Sequence, residues 1–225
     1  MKQLRLLLLK DLHCLAQNQH ALISSFGFAL LLVVLASFSF REIGLSQEQL
    51  RSLTPGMLML TFLFAGITAI REATAPEYNH RGILGVMLAP VDPWIVYLAK
   101  FLTNALFLGA LFVFVTILHE IFFGVQLAAF FGPLLLVVGM FALGFAALGT
   151  MVSLLVLVTS SGEVLFPLVL FPLLIPLLIG TLELIRMVLG GEAFQLTNFW
   201  FTLVVLFDAV MFILSLVLFE YVVRD

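Results

Sequence analysis

What most constrains this chain is the length of its apolar runs. They fall at Ala21–Phe40, Leu53–Ile70, Trp94–Leu118, Pro133–Val158, Val164–Ile185 and Phe199–Val222. A helix needs ~20 residues to cross a hydrocarbon core of roughly 30 Å, and each run meets that length within a turn. With 63% of its 225 residues hydrophobic and 10% charged, the chain has too few polar side chains to coat a water-soluble domain of that size. Backbone groups left unpaired in lipid are costly, and no run shows the ten-residue alternation of a barrel strand, so the spans are helices. The sequence predicts an all-α polytopic membrane protein with six transmembrane helices in a single domain over residues 1–225.

Lysine and arginine give the orientation. With the N-terminus inside, Lys2, Arg5, Lys10, Arg71, Arg81, Lys100 and Arg224 lie on the cytoplasmic side and Arg41, Arg51 and Arg186 on the other. Seven against three places both termini in the cytoplasm. The opening "MKQLRLLLLKDLHC" is followed by "AQNQH" rather than a small-residue cleavage site, and so does not read as a cleaved signal peptide. Residues 1–20 instead align Leu4, Leu8, Leu12 and Leu15 on one helical face, with Lys10, His13 and Gln17 elsewhere. That pattern predicts an interfacial helix on the cytoplasmic leaflet; the alternative is a plain extension of the first span.

One polar block interrupts the apolar chain. Residues 71–93, within "REATAPEYNHRGILGVMLAPVDPW", form the largest polar cytoplasmic element of this topology. A helix is expected to begin at Pro76, where proline suits a first turn and Glu77 meets the positive end of the helix dipole. Ile83, Leu84, Val86, Met87 and Leu88 supply an apolar patch, and "APVDP" ends the helix because proline cannot continue one. The block reads as a surface helix with one face to dock; the alternative is a solvated connector.

Several functions are excluded by missing residues. An ATP-hydrolysing chain needs a phosphate-cradling G-x-x-x-x-G-K-[ST] loop, and none of Lys2, Lys10 and Lys100 follows a glycine. His13, His20, His80 and His119 form no metal-ligand motif, and the pair His119–Glu120 reads as interfacial rather than ligating. Cys14 is the single cysteine, no catalytic triad signature appears, and a net charge of -3 gives no nucleic-acid footprint. No catalytic, cofactor-binding or metal-ligating residue is assigned.

Three features lie inside the spans. Asp208 falls near the middle of the sixth, where an ionised carboxylate costs ~2.5–3.5 kcal/mol on insertion scales, so it should face the bundle interior, be paired or be protonated. Pro167, Pro172 and Pro176 in the fifth span each remove a backbone donor, which predicts a kinked or broken helix lining a central or moving part. Gly139, Ala142, Gly144, Ala146, Ala147 and Gly149 make the fourth span a close-packing helix, with Ala142 and Ala146 in small-xxx-small spacing.

Taken in order, "LTPGMLMLTFLFAGI", "REA", "RGILGVMLAP", "YLAKFL" and "VLFPLLIPLLI" resemble the haem exporter protein B (CcmB) family from Leu53 to Ile179. The chain departs from that pattern at Arg81 and Gly85, where members carry acidic residues. The resemblance implies an ABC-2-like permease of the cytochrome c maturation system in a bacterial inner membrane. It further implies a CcmA-type ATPase dimer as partner, with CcmC-, CcmD- and CcmE-like proteins beside it, haem handled by the complex, and ATP hydrolysis driving release of the haem-loaded chaperone. A homodimer is expected by analogy. On this reading residues 71–93 are a coupling segment, and Glu72, Glu77, Arg81 and Gly82 are its contacts with the ATPase. Two alternatives remain: an ABC-2 permease for a lipid, polysaccharide or drug, and a stand-alone proton-coupled carrier using Asp208.

Overall fold

A computed structural model describes residues 2–80, 91–157, 162–191 and 197–224. Its elements are α1 (Lys2–Gln17), α2 (Gln19–Ile43), α3 (Gln47–His80), α4 (Pro93–Phe123), a 3-10 turn (Leu127–Phe130), α5 (Phe131–Leu157), α6 (Gly162–Gly190) and α7 (Phe199–Arg224). No strand occurs among the described residues. Among the described residues six helices are long and apolar enough to cross a membrane, and they fall on the six runs read from the sequence. All-α polytopic architecture follows directly.

Local chemistry sets the helix ends. Ser46 and Gln49 form a reciprocal capping box: Gln49 Oε1 accepts from the Ser46 N–H at 2.9 Å and Ser46 Oγ from the Gln49 N–H at 3.3 Å. That start lies outside the apolar run, which is why α3 begins before Leu53. Pro93 opens α4, where its missing N–H would have had no intrahelical partner. Gly124 ends α4 at φ 65°, its N–H donating to Glu120 O, a left-handed turn that a side chain would strain.

Helix α5 sits at the centre, packing against α3, α4, α6 and α7, while α2 lies on α3 and α4 and α1 lies on α4. Between α3 and α5 the fit is reciprocal. A Cβ at Gly66 of α3 would overlap the Phe145 ring of α5, and a Cβ at Gly149 of α5 would overlap the Ile70 side chain of α3. Lipid offers no hydrophobic gain for helix association, so such close backbone approach is what holds membrane helices together. Phe62 joins this seam, with its ring 5.7 Å from those of Phe112 and Phe141. Ala142 and Ala146 are buried as expected, but the glycines at which an added Cβ would force a neighbouring side chain to shift are Gly66, Gly144, Gly149 and Gly180 of α6; Gly139 has open space around it.

One expectation is corrected and one is narrowed. No helix begins at Pro76: α3 passes through it and runs on to His80. Of a kinked or a broken helix, the second is removed: α6 runs without interruption from Gly162 to Gly190, with its three prolines inside. Pro172 and Pro176 face outward from the bundle, and the inward stripe is Phe166, Leu170, Leu174, Leu177 and Thr181. Positions 172 and 176 are one turn apart, so their lost donors fall on the same outward side, whereas Pro167 is half-buried and lies across the helix from Pro176. Pro172 and Pro176 therefore do not line the centre of this chain.

Candidate functional site

Helix α1 is separate from α2, and one residue makes the elbow. Asn18 lies between them, its N–H donating to Cys14 O at 3.0 Å and its carbonyl accepting from the Leu22 N–H at 3.2 Å. Its Oδ1 accepts from the Ala21 N–H at 3.1 Å, the N-cap bond of α2. Its Nδ2 donates to the main-chain carbonyl of Glu72 on α3 at 3.0 Å. As expected, Leu4, Leu8, Leu12 and Leu15 share the half-buried face of α1, and Lys10, His13 and Gln17 are exposed.

The expected coupling contacts begin just there. Glu72 is half-buried, and Glu77 lies in the last turns of α3; Arg81 and Gly82 fall outside the described residues. Thr74 is buried between them in sequence, with Oγ1 bonded to Ile70 O at 2.9 Å and Arg71 O at 3.1 Å. From the other side of the segment, α4 enters with Lys100 only 8% exposed, so this lysine, counted on the cytoplasmic side from sequence, packs within the bundle. One turn further, Asn104 Nδ2 donates to Thr150 Oγ1 of α5 at 2.9 Å, and Thr150 Oγ1 donates to Ala146 O at 2.7 Å. Thus one polar bond ties the α1–α2 elbow to α3 and a separate one ties α4 to α5.

Deep in the bundle, Asp208 of α7 sits over Gly144 of α5. A Cβ at Gly144 would overlap Asp208 Oδ1 and lie 2.8 Å from Leu177 Cδ2 of α6. Asp208 Oδ1 is buried and has no hydrogen-bond partner among the described residues. The carboxyl faces the junction of three helices, one of the arrangements read from the sequence. Gly144 is what makes room for it.

The opposite end has its own ties. Arg51 of α3 donates from Nη2 to Leu189 O at 2.5 Å and lies 5.3 Å from the centre of the Phe130 ring. A cation at the carbonyl end of α6 is favoured by the helix dipole. Beside it, Glu48, Arg51, Ser52, Pro55, Arg186, Leu189 and Gly190 line a cavity of about 430 Å³. His119 is buried, its Nδ1 donating to Val115 O at 2.9 Å, whereas Glu120 Oε2 accepts from the Ala128 N–H at 2.9 Å. The pair therefore serves two separate structural bonds. Among the described residues no group of His, Cys, Asp and Glu is placed to hold a metal ion.

Residues 2–224 match the family model for the CcmB protein. The chain belongs to the CcmB family. No curated protein matches it at the significance required. Membership makes this multi-pass chain a permease component of a haem-export ABC transporter serving cytochrome c biogenesis. Sequence reasoning missed Asn18 and Arg51, whose partners are distant in the chain. A signal for the first was available, since a proline four residues after Glu72 leaves that carbonyl without its helical donor.

Proposed function

We propose that this CcmB chain is the non-catalytic subunit through which a partner ATPase drives haem handling, with residues 71–93 as the docking element. The observation that carries this reading is the continuity of α3. It has 34 residues, which at 1.5 Å each makes about 50 Å against a hydrocarbon core of roughly 30 Å, so its last turns, bearing Glu72 and Glu77, extend beyond the apolar run Leu53–Ile70 into this segment. A force applied to residues 71–93 acts on α3 at one end and on α4 at the other. In this reading the α1 end and both termini face the cytoplasm of a bacterial inner membrane, and α1 lies on the leaflet. Glu72, Glu77, Arg81 and Gly82 contact a CcmA-type ATPase dimer. Closure of that dimer on ATP tilts α3 and α4, and CcmC-, CcmD- and CcmE-like proteins receive the result as release of the haem-loaded chaperone. A second copy of the chain completes the pair of membrane domains. Family membership favours haem over a lipid, polysaccharide or drug as the substrate handled.

The test is co-expression with a CcmA-type ATPase and purification by a tag on this chain. ATPase activity is expected with the wild type and at least tenfold less with Glu77→Lys, Gly82→Trp. Equal recovery from both would reduce the segment to a connector.

A second reading has one observation in its favour, the unpartnered Oδ1 of Asp208. A proton-coupled carrier working through it would lose pH-driven uptake in liposomes on Asp208→Asn. No uptake by the wild-type chain alone would dispose of that reading.

A further inference from the structure

We infer that Asn18 is a positioning residue that ties the α1–α2 elbow to the coupling segment, across a hydrogen-bond vacancy created by Pro76. In a helix the carbonyl of residue 72 accepts from the N–H of residue 76. Residue 76 is proline and has no N–H, yet α3 continues through it to His80. The orphaned Glu72 carbonyl accepts instead from Asn18 Nδ2 at 3.0 Å, a bond spanning 54 residues of sequence. The same amide's oxygen caps α2 through the Ala21 N–H at 3.1 Å. One residue thus holds three elements: its main chain bonds the end of α1, and its side chain the start of α2 and the base of residues 71–93.

The pairing is directional. A carbonyl can only accept and the Ala21 N–H can only donate, so the residue at 18 must offer both an acceptor and a donor, which an amide does and a carboxylate does not. This deepens, and rests on, the reading of residues 71–93 as the docking element: a push there reaches α1 and α2 through Asn18 as well as α3 and α4 through the main chain. The elbow then moves with the segment.

Asn18→Asp keeps the oxygen that caps α2 and loses the donor to Glu72. In the full complex it is expected to leave ATPase recovery within twofold of wild type, and to lower covalent c-type cytochrome, measured by haem stain, at least fivefold. In the purified chain in lipid, amide exchange should rise at least tenfold over residues 73–80 and stay unchanged in the first turn of α2. Should the carboxylate prevent accumulation, Asn18→Ser carries the test, because its hydroxyl can cap α2 but is too short to span to α3. Pro76→Ala in the Asn18→Asp background separates linkage from mere satisfaction of the carbonyl, since it returns a helical donor to Glu72 without rejoining the elbow. Cytochrome that stays low in the double variant supports the link. Full recovery there, unchanged cytochrome in Asn18→Asp, or ATPase lost with it would each overturn the proposal. Failure of the docking reading shows elsewhere, as full ATPase recovery with Glu77→Lys, Gly82→Trp.

Discussion

Helices α5 and α7 are alike in apolarity and opposite in position. Of their membrane-crossing windows, 72% of residues are buried in α5 and 11% in α7. Hydropathy therefore says that a segment crosses and nothing about where it stands in the bundle. Side-chain size decides that. Gly144 and Gly149 let α5 press against α7 and α3, whereas α7 presents Val205, Leu206, Val210, Ile213 and Leu214 outward. In lipid, association depends on close packing and polar bonds, so the helix with the small residues becomes the hub.

The contrast can be broken most forcefully at the hub. Gly149→Leu would drive a side chain into Ile70 and is expected to destabilise the fold by ~1–3 kcal/mol or more, read as loss of folded chain on heating in detergent. Wild-type stability in that variant would mean α3 and α5 do not meet there. Asn104→Leu removes the bond to Thr150 and should cost ~0.6–1.7 kcal/mol in unfolding from bilayer-like micelles. Asp208→Asn retains the shape that fits over Gly144 and gives up no hydrogen bond at Oδ1, so stability should change by less than about 1 kcal/mol. A large loss of cytochrome in that variant, with stability intact, would give α7 the active part that the comparison denies it. Val210→Ala, on the outward face, should shift stability by no more than ~0.5 kcal/mol, and a larger change would show that α7 is covered.

This also explains which parts could be read in advance. The spans were legible because twenty apolar residues have few other uses, and the leucine stripe of α1 because helical periodicity survives without a partner. Pro76 was misread as a helix start because its missing donor was noticed and the donor's replacement, Asn18, lay far away in sequence. The α6 prolines were assigned to the interior on the same reasoning, though Pro172 and Pro176 face outward. Arg51 looked like one more outer-side cation until α6 brought Leu189 O to it. Small residues in α5 signalled close packing, but only the neighbours Asp208 and Ile70 show that Gly144 and Gly149 are where an added side chain would crowd the bundle.

Helix α3 is fastened near both ends, by Asn18 at Glu72 and by its own Arg51 at Leu189. A rod held so cannot slide lengthwise without breaking one fastening, and if it turns about one it must swing at the other. The attachment points are 21 residues apart, about 31 Å along the axis. A rotation of 10° about the Arg51 fastening would carry the Glu72 end roughly 5 Å, more than enough to part a 3.0 Å hydrogen bond unless the elbow travelled with it. The chain is built as a lever whose short grip at one face of the membrane sets the size of the stroke at the other.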